Sequence, residues 1–185
     1  MSRFVAQWLA MLVMSLATGL GTAANDPNGQ DGPGRRASAT ETEATDITVF
    51  PDGSGLPHGR ATAREGRPIY AQRCAACHGD KGQGNNDFPA LAGGVGSLRS
   101  GTPLLSVGSY WPYATTLWDY TRRAMPYPQP GSLTTQEVYA VTAYVLYLNG
   151  IVAEDSVLDQ GTLPKVRMPN RDGFVSDPRT KHSRH

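Results

Sequence analysis

Residues 74–78 read Cys74-Ala75-Ala76-Cys77-His78, the C-x-x-C-H string through which a c-type haem is attached covalently. The chain has 185 residues and two cysteines, both inside this motif. Each thiol can add across a haem vinyl group to leave a thioether, and the adjacent His78 is then placed as the proximal ligand of the iron. Other uses of a Cys-x-x-Cys pair fit less well. A dithiol redox pair is set in a βαβ context, and nothing upstream reads as a strand. A structural zinc site needs a second ligand pair, for which no cysteine remains. A disulfide between Cys74 and Cys77 would close a very small loop and stabilise little else.

Working outward, three helices surround the motif. The first leads into it. Proline is tolerated in a first helical turn, so Pro68 places the start near Gly66 or Arg67, with the helix running through Ile69, Tyr70 and Cys74. A Thr62-x-x-Glu65 capping box offers an earlier start, but that leaves Pro68 inside the helix, and the later start is preferred. The second helix follows Pro112, with Tyr113, Leu117, Tyr120 and Ala124 as its apolar stripe and Asp119 facing Arg122 and Arg123. The third is the clearest. Thr134-Thr135-Gln136-Glu137 is a capping box, Val138, Val141, Val145 and Leu148 form a stripe, and Asn149-Gly150 is the stop. Tyr139, Tyr144 and Tyr147 are expected to meet Ile69 and Tyr70. Between Gly79 and Gly108 the density of glycine implies loops, which let backbone approach a cofactor closely.

The iron needs a sixth ligand. Past the leader two methionines remain, Met125 and Met168, each followed by proline. Met125 lies between the second and third helices, where it can reach the haem face opposite His78. Met168 lies beyond the last helix in a segment without periodicity. His58, His182 and His185 sit in low-complexity tails. Position therefore favours Met125, and a Met/His pair raises the reduction potential and leaves no open coordination site, which suits electron transfer. The Pro89 carbonyl is a candidate acceptor for the His78 Nδ1 hydrogen; the alternative is an ordinary loop proline. Trp111, Tyr113 and Trp118 either pack around the haem or simply fill core.

The flanks bear on location and partners. Residues 1–24 have the form of a secretory signal: Arg3, an apolar run from Val5 to Leu20, then Gly21-Thr22-Ala23-Ala24. The run is short and interrupted for a membrane span, so cleavage and a periplasmic mature protein are expected, with no membrane span remaining. Residues 25–60 lack large apolar side chains apart from the Ile47–Phe50 patch and Leu56, and read as a flexible leader. The domain is expected over residues 61–150, with residues 151–185 as an extended arm that either frays or docks on a partner. The net charge of +1 points to neither nucleic acid nor a membrane surface.

Ile69-Tyr70, the Cys74–Gly79 string, Ala124-Met125-Pro126 and the Leu133-Thr134 to Glu137 helix start resemble class I cytochromes c over residues 61–150. That resemblance implies an all-α fold of three to five helices around one covalent haem c, crossed terminal helices, and ligation by His78 and Met125. Val107–Tyr120, Tyr144–Ile151 and Leu163–Phe174 are similar, more narrowly, to the cytochrome subunit of periplasmic sulfane dehydrogenase of the Sox system and to cytochrome subunits of sulfite dehydrogenases. The narrower resemblance implies an electron-transfer subunit without catalytic residues of its own. It would take electrons from a molybdopterin dehydrogenase subunit and pass them to a downstream cytochrome or oxidase. Some Sox members carry a second haem domain; this sequence has one C-x-x-C-H.

Overall fold

The computed structural model describes residues 34–177. The expected signal, residues 1–24, and the end of the tail, including His182 and His185, lie outside the described residues. Two compact units divide at Asp46 and Ile47. In the first, α1 (Ala39–Thr45) is capped by its own polar groups: Ser38 Oγ accepts from Glu41 N–H, and the Glu41 carboxylate accepts from Ser38 N–H and pairs with Arg35.

In the second unit, α2 (Ala63–Arg73) starts three residues earlier than expected. The capping box wins: Thr62 Oγ1 accepts from Glu65 N–H at 3.3 Å, and Glu65 accepts from Thr62 N–H at 2.7 Å. Pro68 therefore lies inside the helix. An interior proline costs about 3 kcal/mol, because it has no N–H and its ring crowds the preceding turn. Three features offset it. The cap contributes about 1 kcal/mol, Ala63 and Gly66 are buried, and Arg64 and Arg67 pair with Glu154, Arg64 also with Asp155.

The short helices α3 (Ala75–His78) and α4 (Val107–Tyr110) and a 3-10 turn at Ser97–Arg99 lead to α5 (Ala114–Ala124). Its buried residues are Ala114, Thr115, Leu117, Trp118 and Thr121; of the stripe expected from Tyr113, Leu117, Tyr120 and Ala124, Leu117 alone is buried. Trp118 is fully buried, while Tyr120 is 48% exposed, its ring edge-on to Trp111 at 5.7 Å. Packing of the larger indole rotates the helix. Asp119 pairs with Arg123, whereas Arg122 lies over the Trp118 ring.

The long α6 (Thr135–Leu148) has the expected Thr134–Glu137 box. At its end Gly150, at φ +67°, donates to Tyr147 O, and Ile151 donates to Leu146 O, the Schellman pattern. Every residue from Val138 to Leu146 is buried, so α6 is a central rod rather than a one-sided helix. It crosses α2 at Gly66, where a methyl would overlap the Ala140 carbonyl; beside it Tyr70 and Tyr144 meet at 5.1 Å. Tyr139 turns the other way, against Trp118 at 5.3 Å, and donates to Pro57 O.

Both flanks pack on this frame. In the stretch read as leader, Val49 and Leu56 are buried, and the Pro51 and Pro57 carbonyls accept from Thr115 and Tyr139. Strand β1 (Arg60–Ala61) pairs antiparallel with β2 (Leu158–Asp159), joining the two flanks. Beyond β2 and a 3-10 turn at Leu163–Lys165, Leu163 and Met168 are buried, Asn170 donates to Tyr110 O, and Arg171 lies 4.2 Å over the Tyr113 ring. The segment therefore braces the chain between α4 and α5.

Candidate functional site

The site is built where α2 breaks. Cys74 caps α2 with φ −126° and ψ −37°, and the chain resumes as the single turn α3. Cys77 and His78 both donate their N–H to the Cys74 carbonyl, at 3.2 and 3.0 Å, and Gly79 closes the turn at φ +76°. A tight turn of this kind holds Cys74, Cys77 and His78 together on one short stretch. Both cysteines are half-buried. Burial pushes the Cys74 thiol up to about 11, against the pull of the neighbouring Arg73 guanidinium.

His78 is 9% exposed. Its Nδ1 lies 3.0 Å from the Pro89 carbonyl oxygen. That oxygen can only accept, so Nδ1 carries the proton, and in the neutral ring Nε2 is the nitrogen with the lone pair. Nε2 has no protein partner among the described residues, and Phe88 stands edge-on to the ring at 6.2 Å. A buried imidazole with Nδ1 fixed by a carbonyl and Nε2 without a protein partner is the arrangement a metal ligand requires. Of the two sequence readings of Pro89, the structure supports the acceptor.

A cage of short loops holds Pro89. Gly84 N–H donates to His78 O at 2.8 Å, and the Asn85 side chain donates to Cys77 O and accepts from the Asp87 and Phe88 N–H groups. A methyl on Gly84 would press on Phe88, Pro89 and Ala90, so glycine is what lets these strands of loop close up.

Met125 is the C-cap residue of α5, extended at φ −120° and ψ 148° and half-buried. A turn follows in which Gln129 N–H donates to Pro126 O, and Arg73, next to Cys74, donates to Ser132 Oγ at 2.7 Å and to Gln129. The segment after Met125 is thus tied to the helix that ends at the cysteines. Met168 is 1% exposed within the hydrophobic cluster and fills core. His58 is exposed. Trp118 is core; Trp111 and Tyr113 belong to the aromatic flank beneath the C-terminal segment. Among the described residues no group of three or more His, Cys, Asp and Glu side chains could hold an ion, and no helix is long and apolar enough to cross a membrane. The residues present fit a haem c. When bound, that group supplies a one-electron ferric/ferrous couple.

Residues missed in the sequence are Asn85 and Asn149, which hold the loop around Pro89. Asn149 is visible as a helix stop, but its long-range bonds have no local signal.

Comparison with known proteins agrees. The Cytochrome c family model matches residues 63–149. The chain is 42% identical to a chain in the crystal structure of the sulfane dehydrogenase SoxCD from Paracoccus pantotrophus, with a TM-score of 0.75, over 83% of this chain and 76% of that one. It is 29% identical over 142 residues to a thiosulfate dehydrogenase of Stutzerimonas stutzeri, covering 77% of this chain and 40% of the relative. It is 34% identical over 102 residues to the cbb3-type cytochrome c oxidase subunit CcoP of an Azospirillum strain, covering 52% of this chain and 34% of the relative. The chain thus spans well under half the length of these two relatives. With a free-sided, carbonyl-anchored histidine beside two thiols, and a relative this similar along most of its length, the chain belongs to the cytochrome c family: an electron-transfer protein that binds haem c covalently and is related to sulfur-oxidising dehydrogenases.

Proposed function

We propose that this is the periplasmic electron-transfer subunit of a sulfur-compound dehydrogenase. In this reading Cys74 and Cys77 carry the haem thioethers, His78 Nε2 is the proximal ligand and Met125 Sδ the distal one. A molybdenum-containing dehydrogenase subunit oxidises a sulfane or sulfite substrate, and this chain accepts the electrons singly and passes them to a downstream cytochrome or oxidase. The observation that carries the reading is the buried His78 ring with Nδ1 on Pro89 O and Nε2 free. The similarity to a chain of SoxCD supports the choice of partner.

Residues 1–24 act here as the export signal, and residues 25–46 as a leader ahead of the packed unit. The test is isolation of the mature chain from native periplasm, followed by anaerobic addition of sulfite or thiosulfate. Copurification of a molybdenum protein and reduction of the haem support the reading. A chain that purifies alone and stays oxidised with both substrates counts against it.

The thiosulfate dehydrogenase relatives favour a second reading, in which the chain is itself a haem enzyme. Isolated chain reduced directly by thiosulfate, without a partner, would select that reading.

A further inference from the structure

Asn149 makes three hydrogen bonds with its side-chain amide. Oδ1 accepts from Gly93 N–H at 3.1 Å, and Nδ2 donates to Leu91 O at 3.0 Å and to Val145 O at 2.9 Å. One of these partners is the last full turn of α6, while the other two are the loop that follows Pro89. The fit is close: a methyl on Gly108 would overlap Oδ1, so the α4 backbone lies directly against the amide. A helix cap alone needs none of the bonds to residues 91–93.

The loop has other restraints as well, including the packing of Leu91 against the core. Leu91 and Ala92 donate to Gly82 O, and Gly93 O accepts from Ser106 Oγ. Pro89 has no N–H with which to anchor itself. Its carbonyl is placed by its neighbours: the Asn85 turn on one side, and the Leu91–Gly93 stretch fixed by Asn149 on the other.

We propose that Asn149 is a positioning residue for the proximal histidine. By pinning Leu91 and Gly93 to the end of α6, it holds the Pro89 carbonyl on His78 Nδ1. That hydrogen bond fixes the imidazole tautomer and its donor strength, and through them the reduction potential of the iron. A rigid helix thus sets the electronics of the site through a loop to which one amide binds it. The inference rests on His78 being the proximal ligand.

The experiment is nuclear magnetic resonance of the reduced holoprotein with labelled histidine, comparing wild type, Asn149→Ala and Asn149→Asp, with the potential of each. Asn149→Asp keeps an acceptor for Gly93 but removes both donors. In both variants the His78 Nδ1 proton should exchange about tenfold faster, the factor expected when roughly one hydrogen bond is lost from a local opening equilibrium. The potential should rise, because a weaker bond at Nδ1 makes the imidazole a poorer donor to ferric iron.

Unchanged exchange and potential in variants that have merely lost thermal stability would overturn the proposal and leave Asn149 a helix stop. Should neither variant accumulate with haem, wild-type exchange decides. The His78 Nδ1 proton and the Leu91 and Gly93 amides should open as one unit with one free energy; separate openings sink the idea. Failure of the underlying ligand assignment is distinct. It would appear in wild type as His78 ring resonances without haem-induced shifts.

Discussion

The two sides of the candidate site are held by different means. Around His78 the chain is glycine-rich and the restraints are hydrogen bonds to backbone: Gly84 to His78 O, Asn85 to Cys77 O, Asn149 to Leu91 O and Gly93 N–H. The helix α5 that leads to Met125 is held by packing: Trp118 is buried against Tyr139, Trp111 meets Tyr120, and Arg171 and Phe174 of the C-terminal segment lie against Tyr113 and Tyr110, while the turn after Met125 is tied to Arg73. Under the proposed ligation by His78 and Met125, the ligands account for the difference. An imidazole has two nitrogens, one of which must be protonated and aimed, so it needs a polar cage. A thioether makes no strong hydrogen bond and needs only a shaped apolar wall.

The largest effects should come from breaking each side at its ligand. His78→Ala should abolish the low-spin spectrum altogether. Met125→Ala should keep the haem on its thioethers, lose the sulfur-to-iron charge-transfer band and fall strongly in potential. An unchanged band in Met125→Ala refutes the distal assignment. Next comes Met168→Ala, a core deletion that should lower unfolding free energy by about 2–5 kcal/mol in chemical denaturation. It should leave the band and potential alone, which separates the two methionines. Gly66→Ala belongs with it. A methyl overlapping the Ala140 carbonyl should cost about 1–3 kcal/mol or more by forcing α2 off α6.

A smaller effect should follow Arg73→Ala, which frees the turn after Met125. The sulfur band should then be lost at lower denaturant than in wild type, with the exchange of the His78 Nδ1 proton unaffected. Smallest is Thr134→Ala, costing about 1 kcal/mol at neutral pH through loss of the α6 cap. Glu137 is held below its ordinary range by its bonds to the Thr134 N–H and hydroxyl. Its folded pKa is depressed, so this stabilisation is present above the unfolded carboxylate range and is lost as pH falls through the folded one. The gap between Thr134→Ala and wild type should therefore narrow in acid; a gap that widens there contradicts the cap.

What could be read in the sequence is what is local. The Cys74–His78 motif, the Thr134–Glu137 box and the Asn149-Gly150 stop each have their signal within a few residues. The start of α2 is less legible: beside the local capping box, what offsets Pro68 includes ion pairs from Arg64 and Arg67 to a segment far along the chain. The face of α5 is less legible because helical spacing of apolar residues does not say which ring takes the interior: Trp118 is buried and Tyr120 exposed. Val49 and Leu56 are too sparse to announce that residues 47–60 pack, since what orders them is the hydroxyls of Thr115 and Tyr139 reaching proline carbonyls.

The crossing of α2 and α6 at Gly66 and Ala140 has a mechanical consequence. Every residue proposed to hold the haem, from Cys74 to Met125, lies on the chain between those two points. The crossing, with the β1–β2 pair outside it, acts as a clasp on a loop that holds the chemistry. Such a loop can open in part while the clasp stays shut. Distal ligand exchange would then be a sub-global event, visible as loss of the sulfur band under conditions where the α6 amides around Val141 remain fully protected.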